Sequence, residues 1–159
     1  MKTQATLFMF TVMALPYLAY AAPPPDTQPD HTQVKGDALR AVFDNTKVLS
    51  EYRNFKGIHE NGYDFTEFHH RNGTTSYTEI GAKTERGLWK IIGEDKICYT
   101  YPNTDAFTQT YCFFVYQQDK CYYNYSLNAM TIHGPRNWSL WTSRFVREGD
   151  GGSCADPVG

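Results

Sequence analysis

The spacing of apolar residues changes twice along this chain. An apolar stretch runs from Leu7 to Tyr20, and a polar, Pro-rich stretch follows at 22–35. Leu39, Val42 and Phe43 then recur at i, i+3 and i+4, which lines one face of a helix. This predicts about two to three helical turns from Gly36, with Asp37 as N-cap and an end near Asn45. Its apolar stripe must cover something, most simply the mouth or one face of a sheet. Beyond residue 50 the period drops to two. Tyr63, Phe65 and Glu67 alternate with Asp64, Thr66 and Phe68, and Asn72-Gly73 is a strong hairpin signal. Further runs at 74–80, 86–92, 96–101, 110–117, 120–127 and 138–147 are separated by turn or loop residues. The expected fold is mainly β: a small antiparallel β-barrel or sandwich with one short N-terminal helix.

The N-terminus sets the expected compartment. Lys2, the apolar run and Ala19-Tyr20-Ala21 have the order of a secretory signal peptide, cut after Ala21. Pro16 interrupts the run, which falls short of the roughly 20 apolar residues a membrane span needs. The expected organisation is a signal peptide at 1–21, a disordered Pro-rich leader at 22–35, a β-barrel domain at 36–147 and a Gly-rich tail at 148–159. Location is then periplasmic or secreted, with no membrane span after cleavage.

Composition narrows the function classes. Aromatics make up 16% of the 159 residues, and mean hydropathy is -0.55. That argues against a helical bundle or a multi-span membrane protein. With a net charge of -2, the chain lacks the basic field that binds nucleic acid.

Export changes how the cysteines read. Cys98, Cys112, Cys121 and Cys154 are an even set without a C-x-x-C pair, so disulfides are favoured over zinc. If the strands flanking the 102–108 loop pair about Asp105, Cys98 and Cys112 face each other within disulfide reach. Cys121 is then left to Cys154, tying the tail to the sheet.

Gly87-Leu88-Trp89, Ile97-Cys98-Tyr99, Tyr111-Cys112-Phe113 and Val115-Tyr116, with the aromatic strand from Tyr63 to Gly73, occur in a recognisable order. Over residues 36–127 this resembles a family of short exported Gram-negative bacterial proteins of unknown function. The resemblance implies a small calycin-like or lysozyme-inhibitor-like β-barrel and brings no catalytic residue. Cys121 and Cys154 do not match its pattern.

Candidate chemistry is sparse. Strand neighbours His69 and His70 point to opposite faces and cannot share one ion. His59 and His133 lack neighbours of ligand type, so no metal or other cofactor is expected, and the histidines read as solvated or edge residues. Asp64 and Glu67 fall on opposite faces, which is not a glycosidase pair. Glu85, Glu94 and Asp95 read as solvated acids at strand ends and turns. The alternating rows Tyr99–Tyr101, Tyr111–Phe113 and Tyr123–Tyr125 read first as core packing in a Leu-poor domain and second as a binding surface. Tyr122, Tyr123 and Tyr125 make both faces of their strand aromatic, so one face is expected to be exposed or at an interface. Trp138 and Trp141 are expected on opposite faces of the last strand. Asp105 and Phe107 sit in a loop, residues 102–109, suited to entering a partner's cleft. Asn72, Asn124 and Asn137 each begin an Asn-x-Ser/Thr triplet, read here as incidental. The leading expectation is a non-enzymatic exported binding protein with an unknown protein partner, in its most concrete form an inhibitor of a wall-degrading enzyme. The alternatives are a calycin-like carrier of a small apolar ligand and an exported hydrolase.

Overall fold

The computed structural model describes residues 30–54, 62–102 and 109–154. The expected signal peptide at 1–21 and Asp105 and Phe107 of the 102–109 loop lie outside them, as does His59. Among the described residues one α-helix, α1 (Gly36–Phe43), precedes most of the strands. In chain order these are β1 (Thr32–Gln33), β2 (Thr46–Tyr52), β3 (Phe65–His69), β4 (Thr74–Glu79), β5 (Glu85–Ile92) and β6 (Lys96–Tyr101). They continue with β7 (Gln109–Gln118), β8 (Cys121–Ser126), β9 (Met130–Thr131), β10 (Gly134–Pro135) and β11 (Ser143–Arg147). Antiparallel neighbours run from β2 through β8, and β11 joins β8 back to β2. The result is a closed eight-stranded barrel, so the expectation of a barrel or sandwich resolves to the barrel.

The local signals account for most of this. Leu39, Val42 and Phe43 are buried as the helical stripe requires, and α1 closes one end of the barrel. Asp37 lies in the first turn, and the N-cap is Lys35, which makes no side-chain cap. Asn45 adopts the left-handed conformation (φ 54°) that stops the helix and starts β2. Gly73 (φ 86°) makes the β3–β4 turn, in which its amide donates to the His70 carbonyl.

Strand β2 was not expected. Its inward positions are Thr46, Val48, Ser50 and Tyr52, while Leu49 points outward, so polar Thr46 and Ser50 inside and apolar Leu49 outside blur the alternation that betrays a strand. It pairs with β3 on one side and β11 on the other, and it is therefore the stave that closes the ring. The last strand is also shorter than expected, beginning at Ser143 and not at residue 138. Residues 30–35, expected to belong to a disordered leader, are ordered. Thr32 and Gln33 pair with β7, and Val34 is buried in the core.

Both expected disulfides are present. Cys98 and Cys112 are directly opposed on β6 and β7, and Cys121 of β8 binds Cys154. Such cross-links belong to an oxidising, exported environment. Among the described residues no helix is long and apolar enough to cross a membrane. Thiol titration of the unfolded, unreduced protein should find no free thiol and, after reduction, four. Loss of either bridge should cost about 3 kcal/mol, read as a lower denaturation midpoint; a free thiol before reduction would contradict the pairing.

Candidate functional site

The barrel is not filled to its open end. Below, α1, Trp89, Ile97, Val115 and Phe145 make a dry core. Above it, at the ends of β2, β4 and β6 and the starts of β3, β5 and β7, a cavity of about 800 Å³ remains. An eight-stranded barrel is just wide enough to hold one small ligand, and this volume is in the range of small-molecule sites.

Strand alternation decides what faces the cavity. Its floor includes Phe43 and Phe145, and its walls carry Tyr52, Phe65, Tyr77, Tyr99, Tyr101, Tyr111 and Phe113. The inward register of β3 places Glu67 among these rings, 5% exposed. Glu79, Glu85 and Arg86 also line the cavity, so among the described residues carboxylates outnumber guanidinium groups there.

Glu67 has a definite hydrogen-bond environment. Its Oε1 accepts from the Tyr101 hydroxyl and from Thr75 Oγ1 at 2.7 Å. Oε2 accepts no hydrogen bond among the described residues, and His69 Nε2 lies 3.8 Å from it. Burial pushes the Glu67 carboxyl up to about 7, although the two donated hydrogen bonds oppose the shift. His69 is fully buried, with Nδ1 3.3 Å from the Thr46 carbonyl and Nε2 2.8 Å from the Tyr99 hydroxyl. A carbonyl can only accept, so the proton sits on Nδ1 and Nε2 accepts from Tyr99. Burial pushes the His69 imidazole down to about 3. The expectation of a solvated or edge histidine is corrected for His69, because the β3 register turns it into the core. A second chain of polar contacts lies nearer the rim. Tyr52 and Tyr77 hydroxyls are 2.8 Å apart, and Tyr77 donates to Glu79. Burial raises the Tyr52 phenol to about 12 and also raises Tyr77 and Tyr101, so these hydroxyls stay protonated donors.

Gly87 explains the Gly-x-Trp spacing. On the inner face of β5, a Cβ at Gly87 would lie 2.7 Å from the Tyr101 ring. The missing side chain lets Tyr101 lie flat across the strand and reach Glu67. Gly87→Ala should therefore cost about 1–3 kcal/mol through overpacking and displace the Tyr101 hydroxyl. Denaturation and the Glu67 titration by NMR would check both, and an unchanged Glu67 titration would refute the coupling.

The residues expected to form a binding surface do something else. Tyr122 points into the barrel and stacks on Phe145 at 5.0 Å. Tyr123 and Tyr125 point outward but are buried, because the 127–142 segment and the N-terminal strand cover that face. Tyr125 donates to the Trp138 carbonyl at 2.8 Å, and the His31 ring lies 4.5 Å from Tyr123 and 5.2 Å from Trp138. Trp138 packs on Tyr116 and Tyr125 and Trp141 on Tyr123, both in this outer cluster and not on opposite faces of a strand. None of the five lines the cavity. Neither face of β8 is thus a free aromatic surface.

The cavity residues left fainter traces in the sequence. The inward Tyr99–Tyr101 and Tyr111–Phe113 rows were visible as alternation, whereas Glu67 was readable only as an acid at an inward strand position. Asp64 is buried too, and its Oδ2 accepts from the Tyr52 amide, a structural role at the strand end. Among the described residues no group of three His, Cys, Asp or Glu side chains could hold a metal ion. No family model, curated protein or solved structure matches this chain, so its functional reading rests on the geometry of the barrel cavity.

Proposed function

We propose that this protein is a secreted carrier that binds one small organic cation, with an aromatic or apolar body, inside the barrel. The observation that carries the reading is the Glu67 carboxyl, buried among aromatic rings with Oε2 free of hydrogen-bond donors among the described residues. A buried carboxylate favours a cationic partner, and the faces of Tyr and Phe rings attract the same charge. The aromatic walls suit a flat or apolar body and disfavour a free inorganic ion. Two disulfides and the N-terminal apolar run support export. The inhibitor reading has no comparable observation behind it.

The test is calorimetric titration at pH 8 with an arylalkylamine, the matching arylalkyl carboxylate and a long-chain fatty acid. The amine should bind at one site per chain, at least tenfold tighter than either acid. Equal or tighter binding of the fatty acid would make the protein an apolar-ligand carrier instead. Absence of binding by all three would reject the carrier reading.

A further inference from the structure

The three Asn-x-Ser/Thr triplets are alike in sequence, but the fold treats them differently. Asn72 sits in the β3–β4 turn and is exposed. Its Oδ1 accepts from the Thr74 amide at 3.0 Å and from Thr74 Oγ1 at 2.7 Å. Asn137 sits in the segment between β10 and β11 and is also exposed. Its Oδ1 accepts from the Ser139 amide and Ser139 Oγ, each at 2.8 Å. Both triplets thus bring the hydroxyl two residues on against the carboxamide, at a surface turn. Asn124 is the opposite case. It is 7% exposed, lies on β8 with its side chain lining the cavity, and donates from Nδ2 to Ser143 Oγ at 3.0 Å.

From this contrast we infer that Asn72 and Asn137 are acceptor sites for N-linked glycans and that Asn124 is not. In the reaction, Asn Nδ2 forms a bond to the anomeric carbon of an oligosaccharide carried on a polyisoprenyl diphosphate. The carbon–oxygen bond to the diphosphate breaks, the diphosphate leaves with the bonding pair, and the nitrogen releases one proton. A glycan is bulky and solvated, so it needs a surface position in the folded product. At Asn72 it projects from the end of the barrel that α1 closes. At Asn137 it projects from the loop that covers the outer face of β8. At Asn124 it would fill the cavity and separate β8 from β11, whose pairing closes the ring. Chains carrying it there would not complete the barrel. This inference does not depend on what the cavity binds.

The experiment is expression of the full chain, with its own N-terminus, in a eukaryotic secretory host. Total cell material and medium are both treated with peptide N-glycosidase in ¹⁸O water, and peptides are mapped by mass spectrometry. The isotope excludes deamidation that preceded the treatment, and a control incubated in ¹⁸O water without the enzyme measures spontaneous deamidation at Asn72-Gly73 during it. The expected result is ¹⁸O-labelled Asp at 72 and 137 and unlabelled Asn at 124 in the secreted protein. In gels, N72Q and N137Q should each remove one glycan, and N72Q/N137Q should remove both. A glycan on secreted Asn124, or an unmodified Asn at 72 or 137, would overturn the assignment of that site. A wholly unglycosylated product would overturn the inference.

Discussion

Replacing Glu67 with Gln is expected to weaken binding of an arylalkylamine at pH 8 by roughly 10- to 100-fold. The basis is the loss of a buried charge-assisted contact, worth about 1.5–3 kcal/mol. The same variant should abolish the pH dependence of binding. In the wild type, burial holds the Glu67 carboxyl near 7, so it is ionised at pH 8 and protonated at pH 5. The amine stays cationic across that range, and wild-type affinity should fall by about tenfold per pH unit below 7. A Gln variant that binds as tightly as wild type, or keeps the same pH profile, would remove Glu67 from the site.

Stability without ligand gives an independent reading of the same group. Glu67 moves from an ordinary value of 4.5 up to about 7 on folding. A raised value means that its contribution is present below 4.5 and is lost as pH rises through 7. Buried His69 moves the other way, from 6.5 down to about 3, so its contribution is present above 6.5 and lost as pH falls toward 3. Between pH 4.5 and 6.5 the unfolded chain carries one proton on the imidazole and the folded chain carries one on the carboxyl. The two dependences cancel there, and wild-type stability should be nearly flat from pH 4.5 to 8. Glu67→Gln removes one side of the balance. Its stability should therefore rise by about 3 kcal/mol between pH 4.5 and 8. Urea denaturation at several pH values reads this directly; parallel curves for the two proteins would refute it.

Phe43→Ala carries the second large effect. Phe43 is fully buried at the meeting of α1 and the cavity, with ring centroids 4.9 Å from His69 and 5.4 Å from Phe145. Truncating it removes the floor and leaves a void, at an expected cost of about 3–5 kcal/mol. The melting temperature should fall by roughly 10–20 °C. The deepened cavity should also accept an amine with one more ring, which the wild type binds at least tenfold more weakly. A cost below 1 kcal/mol would mean that the end of α1 does not close the barrel.

The sequence showed more of the fold than of the site. Alternation along β3 placed Phe65 and Glu67 on one face, and the opposed positions of Cys98 and Cys112 followed from symmetry about their loop. What it hid was β2, whose inward positions are Thr46, Val48, Ser50 and Tyr52. A strand that supplies polar Thr46 and Ser50 to the interior and apolar Leu49 to the outside has only a blurred rhythm to detect. The tyrosines of β8 misled for the complementary reason. An aromatic residue on an outer face reads as exposed until the segment that covers it is known. Here the cover comes from residues 127–142 and from His31, remote in the chain or lacking a strand pattern.

By itself the chain determined what depends on neighbouring residues: the helical stripe of α1, the period-two staves, the left-handed turns and the register of the first disulfide. Those follow from backbone geometry and side-chain spacing over a few residues. Only the tertiary structure decided that the staves close through β2 and β11 and that β8 is covered on both faces. It also decided that an acid on β3 faces a cavity of aromatic rings. Closure and cover depend on pairings between distant segments, and the charge state of Glu67 depends on the low-dielectric interior that those pairings create.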